Sequence, residues 1–145
     1  MLELMVVIGI IAIISAVVTP NILGWYRHQG LRSAVVELQG NLQLTKLAAV
    51  RQNQGCSLNI NTGAGTYNVP CIKKTVSLGD YSGGVIFGGP GGEVTDNVIS
   101  YSSRGFTTNG QTIYLTNGDN TAYYRIKMLT SGGITTSKWD GAAWE

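Results

Sequence analysis

Three patterns of apolar and polar positions succeed one another along the chain. Residues 4–18, LMVVIGIIAIISAVV, carry no charge, and only Gly9 and Ser15 interrupt the large apolar side chains. A helix that is apolar all the way round must bury its whole circumference against something outside its own fold. Fifteen helical residues reach roughly 22 Å, short of the ~30 Å hydrocarbon core of a bilayer. With Met1, Leu2 and the flanking residues the segment is long enough to span with some thinning. Beyond Pro20, Leu31, Val35, Leu38, Leu42 and Val50 fall near one face at three- and four-residue steps, with Leu47 beside them. Arg32, Glu37, Gln39, Gln43, Lys46 and Arg51 take much of the remainder, which predicts an amphipathic helix stopping at about Gly55. Gly24, Gly30 and Gly40 each weaken that helix by up to ~1 kcal/mol relative to alanine, so tertiary packing must support it.

From Cys56 the period shortens to β-like runs separated by Gly, Asn and Asp. Residues 56–60 and 66–69, joined by Asn61-Thr62-Gly63-Ala64-Gly65, read as a hairpin; residues 85–87 and 98–101 read as further strands. Residues 111–116 and 121–129 flank the turn Asn117-Gly118-Asp119-Asn120 and form the clearest hairpin. In its second strand Tyr124, Ile126 and Met128 alternate with Tyr123, Arg125 and Lys127, one face buried and one wet. A last strand is expected over 134–139. The fold class is therefore α+β: a long N-terminal helix packed against a small antiparallel β-sheet head. Three regions follow: an apolar transmembrane or filament-core helix over 1–25, an amphipathic helix over 26–55 and a β-rich head over 56–145.

Composition sharpens this division. Only 12% of the residues are charged, against about a quarter in an ordinary soluble domain, and the mean hydropathy is positive at +0.11. The net charge of +2 lies entirely in residues 1–55, where Arg27, Arg32, Lys46 and Arg51 face only Glu3 and Glu37. The head is neutral overall and has no electrostatic reason to seek nucleic acid.

Candidate chemistry is sparse. Cys56 and Cys71 bracket the first hairpin, and in a symmetric register they lie opposite one another, which favours a disulfide and an oxidising compartment; two reduced buried thiols are the alternative. The glycine-rich stretch GGVIFGGPGG, residues 83–92, lacks the lysine that a phosphate loop requires. A single histidine rules out a multi-histidine zinc site, there is no G-x-S-x-G elbow, and the loop acids Asp80, Glu93 and Asp96 form no calcium array. No catalytic residue, cofactor or metal is expected. Trp25, Tyr26 and His28 suit a membrane interface. Trp139 is expected to pin the last strand, and Trp144 either to do the same or to touch a neighbouring subunit.

Glu3 stands apart, because an ionisable group at the edge of an apolar run is costly unless it reaches water or a partner. Snorkelling to headgroups and a specific assembly contact both remain open on physical grounds. A secretory signal peptide would instead need a basic start, and Pro20 spoils the nearest small-residue cleavage site. Pro20 itself kinks or opens a continuing helix, or marks a helix boundary.

The segment MLELMVVIGIIAIISAVVTP resembles the N-terminus of mature type IV pilins and pseudopilins, with a Glu-Leu-hydrophobic start and a proline after the apolar run. The order of stem helix, cysteine-flanked hairpin, ISYSSRGFTTNGQTIYLTNG and YYRIKMLTSGGI resembles the GspH/FimT branch of pseudopilins and minor pilins along most of the chain. The resemblance implies cutting by an inner-membrane prepilin peptidase, methylation of the new terminus, and a glutamate fifth in the mature chain. Here it is third, so either two residues precede Met1 or the start is assigned differently. It further implies that Glu3 pairs with the terminal amine of a neighbouring subunit and sets register. Glu3 and Pro20 would then act with Leu4, Val7, Ile11 and Ile14 in assembly.

The implied partners are other copies of the chain and other pilins, the inner membrane beforehand, and the assembly machinery. The implied destination is a surface or periplasmic filament. Two other roles stay open: a minor tip or priming pseudopilin of a type II secretion system, and a DNA-binding or adhesive minor pilin. The basic Gly-Arg-x-Arg stretch of DNA-binding members is absent, since the matching region reads Gly132-Gly133-Ile134-Thr135-Thr136. Lys138 alone is a poor substitute, because phosphate affinity grows with the number of cations engaged.

Overall fold

The structure, a computed structural model, describes residues 2–145, with the side chains of residues 2 and 17–23 outside the described set. The side chain of Pro20, the expected kink, therefore lies outside the described set. One long helix, α1 (Leu2–Arg51), is followed by eight strands. β1 (Cys56–Asn61), β2 (Thr66–Val69), β3 (Lys74–Ser77) and β5 (Val98–Tyr101) form a sheet in the order β3-β2-β1-β5. β4 (Ile86–Phe87), β6 (Gln111–Thr116), β7 (Tyr123–Met128) and β8 (Ile134–Lys138) form a second, in the order β4-β6-β7-β8. All the pairings are antiparallel, and the head is two four-stranded sheets rather than a single one. The α+β class holds. β3, flanked by short 3-10 turns at Pro70–Ile72 and Leu78–Asp80, was not foreseen, because KTVS is too short and too polar to register as a strand.

α1 crosses both sheets and touches β1, β5, β6 and β7. Its covered face runs through Leu31, Ala34, Val35, Leu38, Asn41, Leu42, Thr45 and Ala49, all buried. These positions follow the 3.6-residue turn, so the seam moves onto Thr45 and Ala49 while Leu47 and Val50 turn outwards at 55% and 46% exposure. The expected membership of Val50 is corrected on that ground: the helical turn puts Thr45 and Ala49 on the buried face and leaves position 50 partly exposed beside it. The helix stops at Arg51, short of Gly55, with Asn53 in the left-handed region.

Strand alternation supplies the other side of the core. Cys56, Leu58 and Ile60 of β1, Ile113 and Leu115 of β6, and Ile126 and Met128 of β7 all point inwards. Each fully buried Leu, Ile or Met contributes about 1.5–3 kcal/mol of transfer free energy. The β1–β2 register of Ile60 with Tyr67 and Asn61 with Thr66, continued outwards, sets Cys56 opposite Cys71, and the two are disulfide-bonded with Cα atoms 6.1 Å apart. Closing a loop of that length contributes about 3 kcal/mol.

Two glycines let the head reach the stem. A Cβ on Gly30 would stand 1.9 Å from the Ser82 carbonyl oxygen, and one on Gly83 (φ +88°) would stand 2.9 Å from the Arg27 Cα. Here Gly30 does more than weaken a helix: it admits a loop against the stem backbone.

Candidate assembly surface

Over residues 3–16, well before the Tyr26–Gly30 contacts with the 82–84 loop, α1 is exposed throughout. Leu4, Val7, Ile11 and Ile14 are 55–65% exposed, and so are most of the apolar residues between them. Their three- and four-residue spacing places them on one stripe of the helix, the arrangement by which apolar helices pack lengthwise against one another. Glu3 is exposed at the start of this stripe and forms no ion pair among the described residues. Among the described residues no helix is long and apolar enough to cross a membrane. The spanning reading of residues 1–25 thus gains no support from the described helix.

The docked half of the stem carries polar fastenings. The Asn41 amide donates to the Tyr67 hydroxyl at 2.7 Å, and Thr45 Oγ1 donates to the Asn41 carbonyl at 2.6 Å. Burial pushes the Tyr67 phenol up to about 12, partly offset by that Asn41 bond. Glu37 accepts from the Tyr81 hydroxyl at 2.5 Å and pairs with Lys74 at 3.0 Å. These two contacts, the tyrosine first, hold its carboxyl below the usual value, while desolvation of Tyr81, reinforced by Glu37, raises that phenol. Lys46 reaches across to the Gly132 carbonyl at 2.9 Å, and Arg27 pairs with Asp119.

The C-terminal aromatics fold back on the outer face of the second sheet. Trp144 lies 5.7 Å from Tyr114 and 5.2 Å from Trp139 between ring centroids, and the Arg125 guanidinium sits 4.7 Å over its ring. The Asp140 carboxylate accepts from the Ala142 and Ala143 amides, which closes the reversal. Trp144 is thereby engaged within its own head. Among the loop acids, Asp96 accepts from the Thr112 amide at 2.7 Å, so it ties down its loop instead of standing free in solvent. Among the described residues no group of His, Cys, Asp and Glu is placed to hold a metal.

One cluster escaped the sequence reading. Trp25, His28, Gln29 and Arg32 of α1 meet Ala122, Tyr124 and Lys138 of the head around a cleft of about 280 Å³. The i, i+3, i+4, i+7 spacing of the stem residues was visible in the sequence. That β7 and β8 bring Lys138 to them was not.

A half-bare apolar stem helix whose other half is covered by antiparallel sheets defines a pilin-like subunit. The family model for type II transport protein GspH matches residues 34–132, more than half of the chain, and the chain belongs to that family. Its fold is similar to the crystal structure of the type IV minor pilin FimU of Pseudomonas aeruginosa strain PAO1. That match has a TM-score of 0.57 at 12% identity, over 83% of this chain and 96% of that one. No curated protein matches the chain in sequence.

Proposed function

We propose that the chain is a structural subunit that polymerises through α1 into an extracellular or periplasmic type IV pilus-like filament. It waits beforehand in the inner membrane with residues 1–25 inserted. The observation that carries this reading is the stripe of Leu4, Val7, Ile11 and Ile14, exposed on a helix whose other half buries one face against the head. So much apolar surface on a monomer requires a lipid or protein partner, and burial against its own copies supplies the drive for assembly. Glu3 then pairs with the terminal amine of a neighbour inside the filament core, which fixes register because an unpaired charge there is strongly disfavoured. The prepilin peptidase and the assembly machinery act on the chain before that, and the role is structural rather than catalytic.

Glu3→Ala tests the mechanism. Sheared filament yield from cells carrying it should fall at least tenfold while the head keeps its near-ultraviolet circular dichroism. Normal yield would remove Glu3 from assembly. A second reading, a minor tip or priming pseudopilin, is favoured by the structural likeness to a minor pilin. The fraction of this chain in sheared filaments separates the two: dominance makes it the major subunit, a trace amount the minor one.

A further inference from the structure

The cleft of about 280 Å³ at the stem–head junction holds three basic side chains, His28, Arg32 and Lys138, beside the rings of Trp25 and Tyr124. Among the described residues neither Arg32 nor Lys138 forms an ion pair. Arg27, the neighbouring stem cation, is already taken by Asp119. Glu145, whose backbone pairs with that of Lys138, makes no ion pair with it either. Cations gathered in a concave site without a carboxylate partner are arranged for an external anion.

Its height along the helix narrows the choice of anion. If the helix lies in the bilayer from Leu4 to Leu23, the apolar run together with Thr19-Pro20-Asn21-Ile22-Leu23, those twenty residues cover the ~30 Å hydrocarbon core. Trp25 then falls at the interface, and His28 lies about 7 Å beyond Leu23, within the headgroup layer. Arg32 is one turn further out, but helical side chains lean towards the N-terminus, so its guanidinium reaches back to the same level. Lys138 and Tyr124 close the site from the head side.

From this placement we infer that the cleft binds the phosphate of an anionic phospholipid headgroup, seating the head on the membrane before the subunit enters a filament. The inference rests on the proposed membrane insertion of residues 1–25. Arg32 and Lys138 bracket the phosphate, His28 donates to it, and Trp25 packs against the glycerol and upper acyl region. An indole at the interface suits that contact.

The test uses the full chain. Flotation with phosphatidylcholine vesicles first checks insertion by itself. Native mass spectrometry of the detergent-solubilised chain then measures retention of phosphatidylglycerol against phosphatidylcholine. The expected result is flotation together with a phosphatidylglycerol preference that Arg32→Gln/Lys138→Gln lowers about tenfold, since each juxtamembrane cation adds severalfold to affinity for anionic lipid. Arg104→Gln/Lys127→Gln, the same charge change on the head away from the cleft, should leave that preference intact. Flotation with no preference, or with one that both double variants lose equally, overturns the site and leaves the membrane reading standing. Displacement of the lipid by millimolar inorganic phosphate overturns the lipid assignment in favour of a free-phosphate site. Displacement by a single-stranded oligonucleotide overturns it in favour of nucleic acid. Failure to float removes the membrane reading and this inference with it.

Discussion

Residues 31–49 and residues 3–16 belong to one helix and are both rich in apolar side chains, yet the head covers one set and leaves the other bare. The docked half mixes Leu and Val with Ala, Asn and Thr; Asn41 and Glu37 fasten it to the head, while Thr45 bonds back to the Asn41 carbonyl of its own helix. The free half is almost uniformly large and apolar, and its residues 3–16 are exposed. Composition alone would make the free half look the more buried. Patterning decides instead: a mixed face fits one particular partner surface, whereas a uniform one fits lipid or copies of itself.

The largest break in this comparison comes from shaving one large side chain on each half. Leu38 is wholly buried, and Leu38→Ala should cost the head about 3 kcal/mol through lost transfer energy and the cavity left behind. Ile11 is 58% exposed, and Ile11→Ala should move the same transition by less than about 0.5 kcal/mol. Denaturant unfolding of the detergent-solubilised full chain, followed by near-ultraviolet circular dichroism of the head tryptophans, measures both. If Ile11→Ala destabilised the head as much as Leu38→Ala, the two halves would not be independent. In filaments the order should reverse, with Ile11→Ala the more damaging to yield.

Glycine positions sharpen the same contrast at a smaller scale. Gly30 and Gly40 look alike in sequence, each an apparent weakness in a helix. A Cβ on Gly30 would run into the Ser82 backbone, whereas one on Gly40 would meet nothing within 4 Å. Gly30→Ala should cost about 1–3 kcal/mol as the 82–84 loop is pushed off the stem, and Gly40→Ala should gain up to ~1 kcal/mol from helix propensity. Thermal melts of the two variants beside the parent chain check the opposite signs. A stabilising Gly30→Ala would mean that the loop does not press on the stem.

What the sequence disclosed follows from how local each feature is. The apolar run, the stem periodicity and the hairpins at 56–69 and 111–128 depend on neighbouring residues, and each is present; so is the register that brings Cys56 to Cys71. The division into two sheets, strand β3 and the approach of Ser82 to Gly30 depend on contacts between segments far apart in the chain, which no local pattern encodes. The cleft at the junction is the clearest case. His28 and Arg32 read as interface and solvent residues, and Lys138 as a solitary cation, until the fold sets all three around one space.

The smallest expected effect tests whether the docked half is held by its polar fastenings as well as by its core. The Tyr81 hydrogen bond and the Lys74 charge keep the Glu37 carboxyl below its ordinary value of 4.5. Glu37 therefore adds stability that is complete above that value and disappears as the pH falls through the depressed folded one. About 40% of its side chain is exposed, so solvent screening keeps the contribution small. Asp140, held low by the Ala143 and Ala142 amides, drifts in the same direction, but it does so equally in the parent and in Glu37→Gln. The difference between the two melting temperatures should therefore be constant from pH 7 to about 5 and shrink towards pH 3, as protonation of Glu37 abolishes what the substitution removed. A difference independent of pH would show that Glu37 fastens β3 and Tyr81 by shape alone, and that docking of the stem owes nothing to its charge.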